Sequence, residues 1–174
     1  MCDYLLYLLG LIGIIQLSLI APIVPDNLAA HHARNLVQNN NKGAIALFYH
    51  KNTTYSYASI ENYDGSNGDK IIFIFDEMSV TKKNLMTNQH GSFVVTSNNC
   101  TGDNLHICPR VTFIGKFQPL IFNSTNDHVN MEPFFDIIKN EIWTLDIHEI
   151  HYIGDNNGTH YNGEIPINDY LEIF

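Results

Sequence analysis

The chain has 174 residues, 45% hydrophobic and 16% charged, and Asp+Glu 18 against Lys+Arg 9 gives a formal charge of -9. A chain of this size buries roughly two thirds of its unfolded surface around one core, which leaves no room for a second domain. The acidic balance excludes nucleic acid as an expected partner, since phosphate binding needs a basic face whose cations displace counterions.

The first residues, MCDYLLYLLGLIGIIQLSLIAPIVPD, are apolar and leucine-rich from Tyr4 to Ile20 apart from Gln16 and Ser18. Such a run suits a secretory signal peptide, and the expected division is a signal over 1–21 and one domain over 22–174. A retained anchor is the alternative, because the stretch to Val24 approaches the roughly 20 residues needed to cross a bilayer.

Next, PDNLAAHHARNLVQNN predicts a helix: Leu28, His32 and Leu36 with Ala29, Ala33 and Val37 fall near one stripe, and Asn39 to Asn41 end it. His31 and His32 are expected at its surface and at the core edge. GAIALFY (43–49), apolar at both parities, reads as a strand buried on both sides; after a turn at HKN, TTYSYAS (53–59) reads as a strand with Tyr55 and Tyr57 on one face. IENYDGSNGD (60–69) has the composition of a loop, and KIIFIFD (70–76) that of a central strand.

The stretch SVTKKNLMTNQHGSF (79–93) predicts a turn and one short helix, with Val80, Leu85 and Met86 packed inward. SFVVTS is the next strand. In RVTFIGKF (110–117), Val111, Phe113, Gly115 and Phe117 alternate with polar or exposed positions, a half-buried strand. QPLIFNSTNDHVNMEPFFDIIKN is ambiguous. In EIWTLDIHEIHYI (141–153), Trp143, Leu145 and Ile147 share a face but Ile150 and Tyr152 change parity, so a bulge near His148 or Glu149 is expected. IPINDYLEIF closes the chain as a short turn or helix. About six strands with a leading helix and a small inserted one point to a closed or partly closed antiparallel barrel, mainly β with short helices.

Cys2 falls in the expected signal, which leaves Cys100 and Cys108 as a pair in a polar loop. A disulfide there fits a secretory route, with two free thiols or a metal site as alternatives; no zinc spacing occurs, since that needs at least one close Cys or His pair at each half of the site. Glycosylation sequons stand at Asn52, Asn99, Asn123 and Asn157, all in turn-like polar segments. The nine histidines add charge in acid, which points weakly to an endosomal or lysosomal setting.

No nucleophile elbow, phosphate-binding P-loop or zinc-protease motif occurs. HEIH (148–151) is the nearest thing to a metal pair, but residues three apart on a strand point to opposite faces unless a bulge realigns them. Ser79, Thr81, Lys82 and Lys83 offer hydroxyls and cations for a phosphate at a helix start. The same residues also read as a capped short helix with solvated lysines, since adjacent lysines on a helix diverge by about 100°, and the pattern favours that reading.

Several segments resemble the CREG family of secreted cellular-repressor glycoproteins in the same order. ARNLVQNNNKGAIALF (33–48) looks like its helix-to-strand entry and KNLMTNQHGSFVV (83–95) like its short helix between strands. CPRVTFIG (108–115) looks like its Cys-x-Arg strand and IWTLD (142–146) like its last strand. The departures are Lys42 where the family usually has Trp, Gln89 for a common Pro, and a shorter stretch from Lys116 to Met131. The resemblance implies an antiparallel split β-barrel of the FMN-binding, pyridoxamine-phosphate-oxidase-like superfamily, usually a homodimer. Flavin-using relatives carry a Ser followed by an Arg-Lys pair in the segment matching 79–83. Ser79 matches that Ser, whereas Val80 and Thr81 occupy the cationic positions. CREG-type proteins are taken to bind no flavin and to engage receptors, including the mannose-6-phosphate receptor. The resemblance therefore implies a non-enzymatic secreted or lysosomal glycoprotein with no cofactor. The alternative is an FMN-dependent oxidoreductase gripping its cofactor through Ser79, Thr81, Lys82 and Lys83.

Overall fold

The computed structural model describes residues 26–66, 70–98, 100, 108–120, 142–156 and 159–172. The expected signal over 1–21, the ambiguous EPFFDII segment and most of the shortened 116–131 stretch lie outside these. Ten elements follow in chain order: α1 (Asp26–Gln38), β1 (Lys42–Phe48), β2 (Ser56–Asp64), β3 (Ile72–Ile74), α2 (Val80–Thr87), β4 (His90–Thr96), β5 (Arg110–Pro119), β6 (Ile142–Asn156), β7 (Thr159–Glu164) and α3 (Ile167–Leu171). Among the described residues, no helix is long and apolar enough to cross a membrane.

All strand pairings are antiparallel, in the order β3-β2-β1-β4-β5-β6-β7, and β3 also pairs with β6. Six strands therefore close a ring. The long strand β6 makes this possible: one edge pairs with β5 from Trp143 to Ile153, while the other gives Ile142–Thr144 to β3 and His151–Asn156 to β7. The register of β5 on β6 shifts between Ile114, opposite Glu149, and Gly115, opposite Ile147, so His148 is the extra residue. This is the bulge expected from the parity change, and it returns Ile150 and Tyr152 to the core beside Trp143 and Leu145.

Aromatic rings fill the interior. Phe73 lies 4.9 Å from Phe93, 5.4 Å from Phe117 and 5.6 Å from Phe75, ring centre to ring centre. Helix α1 covers this core with Ala29, Ala30, Ala33 and Val37, all buried. Its small residues let the backbone approach closely enough for the Tyr63 hydroxyl to donate to the Val37 carbonyl at 2.8 Å. Burial pushes the Tyr63 phenol well above its ordinary range. His31 is exposed and His32 half-buried, as expected.

One residue of α1 escaped the sequence reading. Arg34 is buried and donates through Nη1 to the Tyr170 carbonyl at 2.6 Å and the Leu171 carbonyl at 3.4 Å, with its guanidinium 5.5 Å from the Tyr170 ring centre. These carbonyls belong to the last turn of α3, where a cation also meets the negative end of the helix dipole. Arg34→Met keeps the stem and removes these bonds. It is expected to lower stability by about 1.5–3 kcal/mol in urea unfolding, the range for hydrogen bonds made by a charged group.

Four expectations need correction. Strand β1 is not buried on both sides: Gly43, Ile45 and Leu47 face the core, Ala44 and Ala46 are half-buried, and Phe48 is exposed. Residues 60–64 belong to β2 rather than to a loop, and Tyr55 precedes that strand. KIIFIFD contributes only Ile72–Ile74 to the sheet, although its pairing on both sides makes it the closing strand. Met86 and Val80 point outward, 71% and 39% exposed, because Thr81, Asn84 and Leu85 occupy the inner face of α2.

Candidate functional site

The turn into α2 begins with Asp76. That carboxylate accepts from the Met78 N–H at 2.7 Å, and its carbonyl accepts from the Ser79 N–H, which turns the chain into the helix. Ser79 then caps α2, its Oγ accepting from the Lys82 N–H at 3.1 Å. Lys83 folds back to donate from Nζ to the Met78 carbonyl at 3.0 Å.

The inner face of α2 meets the β1–β2 hairpin through polar groups. The buried Thr81 hydroxyl donates to the Glu61 carboxylate, and the Tyr57 hydroxyl lies 3.3 Å from the same oxygen. A hydroxyl has one proton to give, so Tyr57 is the donor to Thr81 and Thr81 the donor to Glu61. One helical turn on, Asn84 is fully buried. Its Oδ1 accepts from the His50 N–H at 2.8 Å and lies 2.7 Å from His50 Nδ1. The backbone N–H fixes the orientation of this amide, and the network then assigns the proton of His50 to Nδ1. The Asn84 Nδ2 is buried and has no hydrogen-bond partner among the described residues.

Among the four expected phosphate donors, Ser79, Thr81 and Lys83 thus each have a separate partner. Ser79 Oγ faces the helix's own N–H, Thr81 faces a carboxylate, and Lys83 faces a carbonyl; Lys82 is half-buried beside them. The alternative of a capped short helix is what the chain forms. The partners Tyr57, Glu61, His50 and Asn84 were missed by sequence reasoning. A signal existed: Tyr57, Ser59, Glu61 and Tyr63 keep period two through the segment taken for a loop.

The HEIH histidines come to one face, since the bulge carries Asp146, His148, Glu149 and His151 to the outside. Each pairs with its own carboxylate, His148 with Asp146 at 3.5 Å and His151 with Glu149. No group of three or more His, Cys, Asp or Glu able to hold a metal occurs among the described residues. Cys100 and Cys108 are joined as a disulfide, with Cα atoms 5.7 Å apart, tying the end of β4 to the start of β5. Asn52 lies exposed in the β1–β2 turn, its Oδ1 accepting from the Thr54 N–H at 3.0 Å and hydroxyl at 2.7 Å. Asn99, Asn123 and Asn157 lie outside the described residues.

With this geometry in place, the sequence matches the family described as CREG, beta-barrel over residues 25–172. The chain belongs to the CREG β-barrel family. The fold of this CREG barrel recurs in solved structures of low identity. One is a heme binding protein from Mycobacterium smegmatis, with a TM-score of 0.64 at 16% identity, covering 86% of this chain and 61% of that one. This CREG barrel thus spans about three fifths of the mycobacterial protein. Another, from Clostridium acetobutylicum, is described as related to general stress protein 26 and the pyridoxinephosphate oxidase family, with a TM-score of 0.54 at 10% identity, covering 81% and 97%. A third is HutZ, the heme storage protein from Vibrio cholerae, with a TM-score of 0.51 at 13% identity, covering 67% and 89%. At these identities the likeness establishes the split-barrel fold alone. A search of curated proteins finds no match.

Proposed function

We propose that this CREG barrel is a non-enzymatic secreted or lysosomal glycoprotein that works by receptor recognition, on a scaffold that has lost the phosphate grip of its flavin-using relatives. The observation that carries this reading is the Glu61 carboxylate at Thr81. Where those relatives place a cation, this chain places a hydroxyl committed to an anion. A phosphate brought to Thr81 meets a like charge at hydrogen-bond range, and like charges at that distance repel strongly where water is partly excluded. The residues present therefore do not fit an FMN phosphate.

The rest of the proposal draws on separate features. The disulfide suits an oxidising compartment. Asn52 is exposed on its turn, where a glycan has room, and glycans at Asn52, Asn99, Asn123 and Asn157 are the proposed link to a sorting receptor such as the mannose-6-phosphate receptor. A homodimer is supported by the outer face of β2-β1-β4-β5. Its registered rows, Ile60, Ala44, Val94, Thr112 and Ala58, Ala46, Ser92, Ile114, carry no charge.

Titrating FMN against the purified protein, with quenching of flavin fluorescence as the signal, tests the central claim. The expected result is no saturable binding and a colourless protein as isolated. Binding at low-micromolar affinity or tighter, about -8 kcal/mol, overturns it in favour of an oxidoreductase holding FMN near Lys82 and Lys83.

A further inference from the structure

We infer that Glu61 is an internal stand-in for a ligand's anionic group: the chain supplies its own carboxylate to α2, and removing that carboxylate opens a site for inorganic phosphate. The inference rests on the reading of a lost phosphate grip and names the residue responsible.

The first turn of a helix presents free N–H groups and the positive end of its dipole, so an anion is stabilised there. In α2 the Ser79 Oγ takes one of these donors, the Lys82 N–H. The formal negative charge comes from elsewhere. Glu61 reaches across from β2 to the buried hydroxyl of Thr81, in the first turn, while Tyr57 completes the chain of donors toward the same carboxylate. Lys82 and Lys83 stand on the same turn.

A second observation points to the same interface. Asn84, one turn along the inner face from Thr81, is fully buried, and its Nδ2 lacks a hydrogen-bond partner among the described residues. A buried donor left unmade costs free energy, and native structures rarely keep one without an acceptor. Its oxygen is fully committed to His50, so the open group is a donor, the type an oxyanion accepts from. With Glu61 shortened, the interface keeps the Thr81 hydroxyl, the Tyr57 hydroxyl and this amide, and loses the carboxylate that faces the two hydroxyls.

The experiment is thermal unfolding of wild type, Glu61→Ala and Glu61→Gln in inorganic phosphate and in sodium chloride of matched ionic strength. Phosphate also stabilises proteins generally by exclusion from their surface, so wild type in both salts is the reference. Glu61→Ala is expected to melt roughly 3–6 °C below wild type in chloride, and phosphate should recover at least half of that loss, saturating with concentration. Glu61→Gln keeps the shape and loses the charge, and should respond to phosphate in the same direction. The inference is overturned if neither variant is destabilised, if phosphate helps the variants no more than wild type, or if wild type itself shows saturable phosphate binding. Should Glu61→Ala fail to fold, the same comparison is read from Glu61→Gln. The FMN titration uses wild type alone, so failure of the broader reading is seen separately from failure of this one.

Discussion

Phe73→Ala is expected to cost about 3–5 kcal/mol, the range for deleting a buried aromatic ring. Total stability for a domain of this kind is about 5–15 kcal/mol, so the variant is left near the edge of folding. Two effects coincide at this residue. Its ring is fully buried and lies within 4.9–5.6 Å of Phe75, Phe93 and Phe117, so truncation opens a cavity that several rigid side chains must border. It is also the middle residue of β3, opposite Tyr63 on one side and Trp143 on the other. Ring packing and barrel closure are lost together. Phe73→Leu, which refills most of the volume, should recover more than half of the loss. Urea unfolding followed by tryptophan fluorescence gives both values, with Trp143 the single tryptophan and part of the core. A loss under about 1 kcal/mol for Phe73→Ala would show that β3 does not hold the ring closed.

Gly115→Ala is the second large effect, from a much smaller change. A Cβ at this position would stand 2.1 Å from the Asp146 carbonyl oxygen and 3.2 Å from the Ile147 Cα, both in the backbone of β6. No side chain can rotate away to relieve that contact. Gly115 sits where β5 passes the extra residue His148, so the close approach is part of the bulge that keeps Ile150 and Tyr152 in the core. The added methyl is expected to cost about 3 kcal/mol, the upper part of the range for overpacking. The same unfolding measurement checks it. A variant within about 0.5 kcal/mol of wild type would mean that β5 and β6 are not in the register described.

These two positions also show what could be read in advance. The alternation of Val111, Phe113, Gly115 and Phe117 reads directly as β5, because one face of a half-exposed strand must be apolar. The parity change after Ile147 likewise locates the bulge. β7 gives no such signal: THYNGE is polar, and among the described residues the strand pairs with β6 alone, without supplying a run of core residues. The end of β2 was hidden for a different reason. Its Glu61 keeps the period of two but interrupts its apolar character, and the Thr81 hydroxyl that partners the half-exposed carboxylate is brought near by the fold. At the candidate site, the Ser79 cap is local and therefore legible. The contacts of Asn84 with His50 and of Arg34 with Tyr170 join residues far apart in the chain, and polar contacts of that kind leave no period to detect.

The closing pair of strands also governs when the molecule can be finished. Ile72 in β3 is paired with Thr144 in β6, so the partner that closes the ring leaves the ribosome about seventy residues after the strand it must join. At ordinary synthesis rates that interval is on the order of ten seconds. Until then β3, and β5 once it has been made, have edge backbone groups without strand partners, because the same late segment completes both. Pairings this distant in sequence also slow refolding of the full chain toward the millisecond-to-second regime of all-β domains. The newborn chain therefore passes through an obligatory open state with two adhesive edges, and its yield in a cell depends on how well that state is kept from meeting another copy of itself.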